Sequence, residues 1–149
     1  MATLGNLIWF VCGGWLLGAL WWIGGVLFGL TGIGAPFAVA CWRIAWFAWW
    51  PFGKDLLRKP NRGAGTALAG IVWLLIFGWW LALLHLFAAL LHAASCLAIL
   101  PILWGAPIFA VGNARLAWAA LQPLGYEIVD REVGRAVRVH EALRRRGMA

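Results

Sequence analysis

Two long apolar blocks dominate this chain and restrict the solvent it can fold in. Between Asn6 and Gly53 the only charged residue is Arg43, and between Thr66 and Tyr126 the only one is Arg115. A soluble domain coats itself with charge at roughly a quarter of its residues. Here the charged share is 11%, against 64% hydrophobic. The outer surface must therefore be buried in lipid, and the sequence predicts an all-α integral membrane protein. The polar inventory also narrows the chemistry. Ser95, Gln122 and Tyr126 are the only residues of their kinds, no apolar block holds a carboxylate, and Ser95 has no candidate base nearer than His92. Enzymatic activity is not expected, and no cofactor or metal is.

A crossing needs about 20 apolar residues, so each block exceeds one crossing, and Gly/Pro clusters at Thr31 to Pro36 and Leu100 to Pro107 divide them. The reading is four transmembrane helices, at about 6–31, 36–51, 68–99 and 107–123. They form a membrane unit over 1–53, a basic loop over 54–66, a second membrane unit over 67–126 and a basic tail over 127–149. Lys54, Asp55, Arg58, Lys59 and Arg62 give the loop a net charge of +3, and the tail carries +2. Four crossings put both on one face, which the positive-inside rule makes cytoplasmic; both termini then lie in the cytoplasm. In the rival arrangement the second and fourth helices lie on the surface, leaving two crossings. It breaks the charge rule, yet the helix between Pro36 and Pro51 spans only about 24 Å against a core of about 30 Å. The N-terminus MATLGNLIWF lacks a basic region before its apolar run, so the first helix is expected to remain in the mature chain. Cys12, Cys41 and Cys96 are odd in number and lie in apolar segments, which points to packing residues rather than disulfides.

The second block reads as a copy of the first. Trp9, Gly14 and Trp15 match Trp73, Gly78 and Trp79, and Gly34-Ala35-Pro36 matches Gly105-Ala106-Pro107. Downstream, Arg43-Ile44-Ala45-Trp46 aligns with Arg115-Leu116-Ala117-Trp118, and Pro51-Phe52-Gly53 with Pro123-Leu124-Gly125. Each unit would be a helix pair that enters and leaves on the cytoplasmic side. The two would then share an orientation, as tandem parallel repeats about an axis along the membrane normal.

Phe77-Gly78-Trp79-Trp80-Leu81, the two Pro-x-Gly ends and Asn113-Ala114-Arg115-Leu116-Ala117 carry a resemblance to the YccF family. It extends over nearly everything up to Tyr126. The resemblance implies a bacterial inner-membrane protein with two copies of one small membrane domain, and it brings no catalytic residues.

Gly14, Gly18, Gly25 and Gly29 share one face of the first helix, and Gly78 opens the equivalent face of the third. Small residues so spaced let another helix approach closely in lipid. His85 and His92 lie on that face with Cys96 beyond them. They read either as metal ligands or as neutral polar residues bonded between helices. Seven residues separate the histidines by about 10 Å, too far to share an ion unaided, which favours the second reading. Arg43 and Arg115 are the sharper feature. Each sits mid-helix with no carboxylate in any membrane segment, so each must meet water, carbonyls, headgroups or an anion. They line an anion pathway, or they snorkel from short helices to an interface. Trp9, Trp49, Trp50 and Trp73 fall at the cytoplasmic helix ends, where indoles anchor in the headgroup zone. From Glu127 to Arg146 the tail reads as an amphipathic helix suited to anionic lipid. Its interspersed acids argue against nucleic acid.

The sequence thus supports an oligomeric inner-membrane protein with an anion or small-solute pathway lined by Arg43 and Arg115. The alternative is a non-transporting membrane scaffold or interaction subunit bearing a basic cytoplasmic helix. The partners expected are the bilayer and further copies of the chain.

Overall fold

The computed structural model describes residues 2–32, 34–59, 64–98 and 105–148. Arg62 and the Leu100-to-Trp104 part of the second Gly/Pro break lie outside them. Helix α1 (Ala2–Trp9) runs through a π-helical turn (Phe10–Gly14) into α2 (Trp15–Leu30). In the second half α4 (Ala64–Trp73) runs through a π-helical turn (Leu74–Gly78) into α5 (Trp79–Ser95). Each long helix is answered by a shorter one, α3 (Ala35–Trp49) and α6 (Ala106–Leu121). Both short helices have Pro in the first turn, where a missing N–H costs nothing. The outer surface is apolar, with Leu30, Leu75 and Val11 at 81, 72 and 70% exposure. That is the outside of a protein solvated by lipid.

The small-residue face of the first long helix seats its own hairpin partner. A side chain at Gly18 would overlap the Trp49 indole, one at Gly25 would overlap Trp42, and Gly29 faces the Ala38 methyl. Gly14 and Gly78 have a different task, leaving room for the indoles of Trp9 and Trp73 to lie back over the π-helical turns. From there the indole N–H groups donate to Ala48 O (2.6 Å) and Ala120 O (2.7 Å). Trp9 and Trp73 are therefore buried, at 2 and 0% exposure, and not headgroup anchors. A tryptophan beside a glycine in lipid satisfies its N–H on a neighbouring carbonyl more cheaply than at a distant interface. Trp49 is half-buried and donates to Trp15 O, and only Trp50 of the four expected anchors is well exposed.

The two hairpins meet in an aromatic core of Trp21, Phe28, Phe37 and Trp73, with Phe37 stacked on Trp73 at 5.6 Å. The direction of this contact differs from the expected one. Phe28 meets Trp73, Gly24 faces Phe77, Trp21 touches His85 and Trp9 stacks on His92. Residue numbers fall along one long helix as they rise along the other, so the two pack antiparallel. Units sharing one orientation about an axis parallel to their helices would pair like heights with like. Here any twofold relating them runs across the long helices.

Two corrections concern the polar segments. Loop and tail are not separate, and the described chain is not wholly helical. Strand β1 (Lys54–Arg58) pairs antiparallel with β2 (Tyr126–Asp130), centred on Leu56 opposite Ile128. Lys59 N to Gly125 O (2.9 Å) and Arg131 N to Gly53 O (3.1 Å) close its two ends. The tail helix, α7 (Arg131–Arg145), begins four residues later than the charge pattern suggests. Tyr126, Ile128 and Val129 favour extended backbone, and once both Pro-x-Gly turns are in place an unpaired strand lies alongside to receive them.

Candidate functional site

The ribbon brings a carboxylate to the flank of the membrane helices. Asp55 is 2% exposed. Its Oδ1 accepts from Leu56 N (2.9 Å) and from the Arg115 guanidinium, which also donates to Leu56 O (3.1 Å). Its Oδ2 is ion-paired with Arg138 of α7. A side chain at Gly134, the buried residue of α7, would collide with that carboxylate, so glycine is what lets the helix sit down on Asp55. Lys54 and Asp130 form a second, exposed bridge at 2.7 Å. Burial works to raise the Asp55 carboxyl, but the hydrogen bonds and charges of Arg115 and Arg138 outweigh it and hold the group below its usual range.

Arg115 therefore has an acid after all. The membrane segments hold no carboxylate; the acid comes from the ribbon, 60 residues earlier in the chain. A usable signal lies in the matched segments, since Asp55 and Glu127 both fall two residues after a Pro-x-Gly end and twelve after a helix arginine. The closed pair joins the two halves. Arg43 is exposed, and among the described residues it has neither a hydrogen bond nor an ion pair.

The histidines separate. Trp21 Nε1 donates to His85 Nε2 (2.8 Å), and an indole N–H can only donate, so the imidazole proton sits on Nδ1. From there it goes to Asn113 Oδ1 (3.0 Å), and Asn113 Nδ2 donates to Phe109 O (3.2 Å). Both ring nitrogens of this fully buried residue are thus engaged across three helices. His92 is half-buried, with Nδ1 on Ala88 O (2.7 Å) and its ring against Trp9. Ser95 donates to the His92 carbonyl at 2.8 Å.

Beside Asp55 a cleft of about 260 Å³ opens between the Pro-x-Gly turn, α6 and α7. Lys54, Arg115, Arg131 and Arg138 line its polar end, and Ile108 and Val111 its apolar end. Lipid-facing helices with a charged layer on one flank define an α-helical integral membrane protein.

Comparison with known proteins finds similarity to one family. Residues 4–54 match the family model YccF, described as an inner membrane component domain. The chain is 28% identical over 154 residues to Inner membrane protein YccF of Escherichia coli (strain K12), covering 97% of this chain and 99% of the relative. Inner membrane protein YccF of Shigella flexneri matches equally. No solved structure matches at a significant level. Residues 4–54 are similar to the YccF domain, and the chain resembles the YccF inner membrane proteins along nearly its whole length, which supports an inner-membrane location.

Proposed function

We propose that this protein is a non-transporting membrane scaffold, in which two apolar hairpins hold a folded basic cap at the cytoplasmic surface. The observation that carries this reading is the Asp55 hub, which fastens α7 to the membrane helices through Arg115 and Arg138. A pathway lined by Arg115 loses its main argument once that charge is neutralised. The space between the hairpins is filled by Trp21, Phe37 and Trp73. Duplication of one unit is supported by the matched π-helical turns, the matched indole bonds to Ala48 and Ala120, and the Leu56–Ile128 centre of the ribbon.

The hub also bears on how the hairpins sit in the bilayer. Arg115 lies six residues from the end of α6, about 9 Å along the axis. The ribbon and α7 therefore cover the flank of the hairpins, not their tips. Upright helices would carry this charged layer into hydrocarbon, where each central charge costs about 2.5–3.5 kcal/mol or more. Hairpins lying along the cytoplasmic leaflet keep the cap in water and their apolar faces in lipid. The second reading is the multi-pass one with four crossings and Arg43 at a path between subunits. In its favour, Ala2–Leu30 and Gly65–Ser95 are 29 and 31 residues long, and apolar enough to cross.

Two measurements divide these readings. With Cys12, Cys41 and Cys96 replaced, Thr31→Cys at the tip of the first hairpin should resist an impermeant maleimide added to intact cells. Labelling there, with Met148→Cys protected, would establish crossing. In liposomes the protein should pass halide no faster than empty vesicles. A flux lost in both Arg43→Leu and Arg115→Leu would restore the pathway.

A further inference from the structure

We propose that the cleft beside Asp55 binds the phosphate of an anionic lipid, an inference that rests on the scaffold reading by putting the cap at headgroup level. Charge is the first argument. Lys54 is compensated by Asp130, and Asp55 is shared between Arg115 and Arg138, so one guanidinium of that pair is in excess. Arg131 adds another cation that, among the described residues, has no ion pair. The cleft thus presents two uncompensated positive charges. Guanidinium is the side chain best matched to phosphate oxygens, through paired N–H donors.

Shape is the second argument. Ile108, Val111 and Arg115 recur along one face of α6, and Ile108 stands about 10 Å from Arg115 along the helix. Ile108 and Val111 are 61 and 62% exposed, although their neighbours on the helix's inner face are buried. A groove that is cationic at one end and apolar for two turns beyond fits a molecule built the same way, a phosphodiester headgroup continuing into an acyl chain. A free phosphate would use the polar end alone. The cleft would thereby fix the cap to the leaflet at a defined point, where diffuse attraction by Arg144, Arg145 and Arg146 would not.

The test uses full-length protein in a neutral detergent, so that its outcome is independent of flux or topology. Short-chain phosphatidylglycerol should raise the thermal midpoint at concentrations where phosphatidylcholine does not, and inorganic phosphate should match it poorly. Arg131→Gln removes an exposed side chain that has no ion pair among the described residues and should weaken the phosphatidylglycerol effect about five-fold, the worth of one surface cation. Arg144→Gln makes the same charge change outside the cleft and should leave it unaltered. Equal loss in both variants would mean diffuse attraction, and equal protection by inorganic phosphate would mean a soluble anion. Either result overturns the proposal, as does equal protection by phosphatidylcholine.

Discussion

Replacing Asp55 by asparagine should release α7 from the membrane helices. The variant keeps the volume and the bond from Leu56 N but removes the charge that Arg115 and Arg138 share. Bonds to charged groups are worth about 1.5–3 kcal/mol each. Both arginines are about half exposed and can turn to water when the acid is lost. The net cost of undocking is then about 2 kcal/mol, a roughly thirty-fold rise in the open population. Tryptic cleavage after Arg135 and Arg138 should accelerate accordingly, and a rate equal to wild type would dispose of the hub. Gly134→Ala tests the same contact without a charge change, because its methyl meets the carboxylate. The pH dependence has a definite sign. A carboxyl held low in the folded state adds stability above its unfolded value, near 3.9, and loses it as pH falls through the folded one. Docking should therefore be flat through neutral and mildly acidic pH and fail only below the ordinary carboxylate range.

His85→Leu is expected to destabilise the junction between the hairpins more than any surface change. It leaves the Trp21 indole N–H and the Asn113 carbonyl buried with their partner gone. Each orphaned group costs about 1–3 kcal/mol, so the variant should lose about 2–6 kcal/mol, or on the order of 10 °C in the midpoint. Trp21→Phe added to His85→Leu removes one orphan and should recover part of the loss. A double variant worse than the sum of its singles would argue that packing, not the hydrogen bond, decides the site. Trp21 and His85 fall at the same offset that relates Trp9 to Trp73, yet one is an indole donor and the other an acceptor. Two tryptophans could not bond each other there, because an indole N–H only donates.

Much of the local structure was legible because its causes are local. Pro36 and Pro107 mark helix starts, the apolar blocks require lipid, and glycines at helical spacing mark where a neighbouring indole or helix comes close. What distance along the chain conceals was not legible. Asp55 looked like one charge in a basic loop, and nothing near it in sequence says that Arg115 will come to it. The tail's charge periodicity suggested a helix from Glu127, and it could not register that β1 would lie alongside and take Tyr126–Asp130 as a strand. Height on a helix suggests headgroup anchors at Trp9 and Trp73, but their Ala48 and Ala120 partners belong to other helices.

The sequence by itself determined the solvent and where helices start and stop, since apolar blocks and breakers act through composition and near neighbours. Only the tertiary structure decided the direction in which the hairpins pack and the neutralisation of one of two matched arginines. Both depend on which side chains meet across the fold. Reversing one hairpin against the other changes no local preference, yet it brings Trp21 to His85 and carries the buried Asp55 of the ribbon to Arg115 while leaving Arg43 exposed.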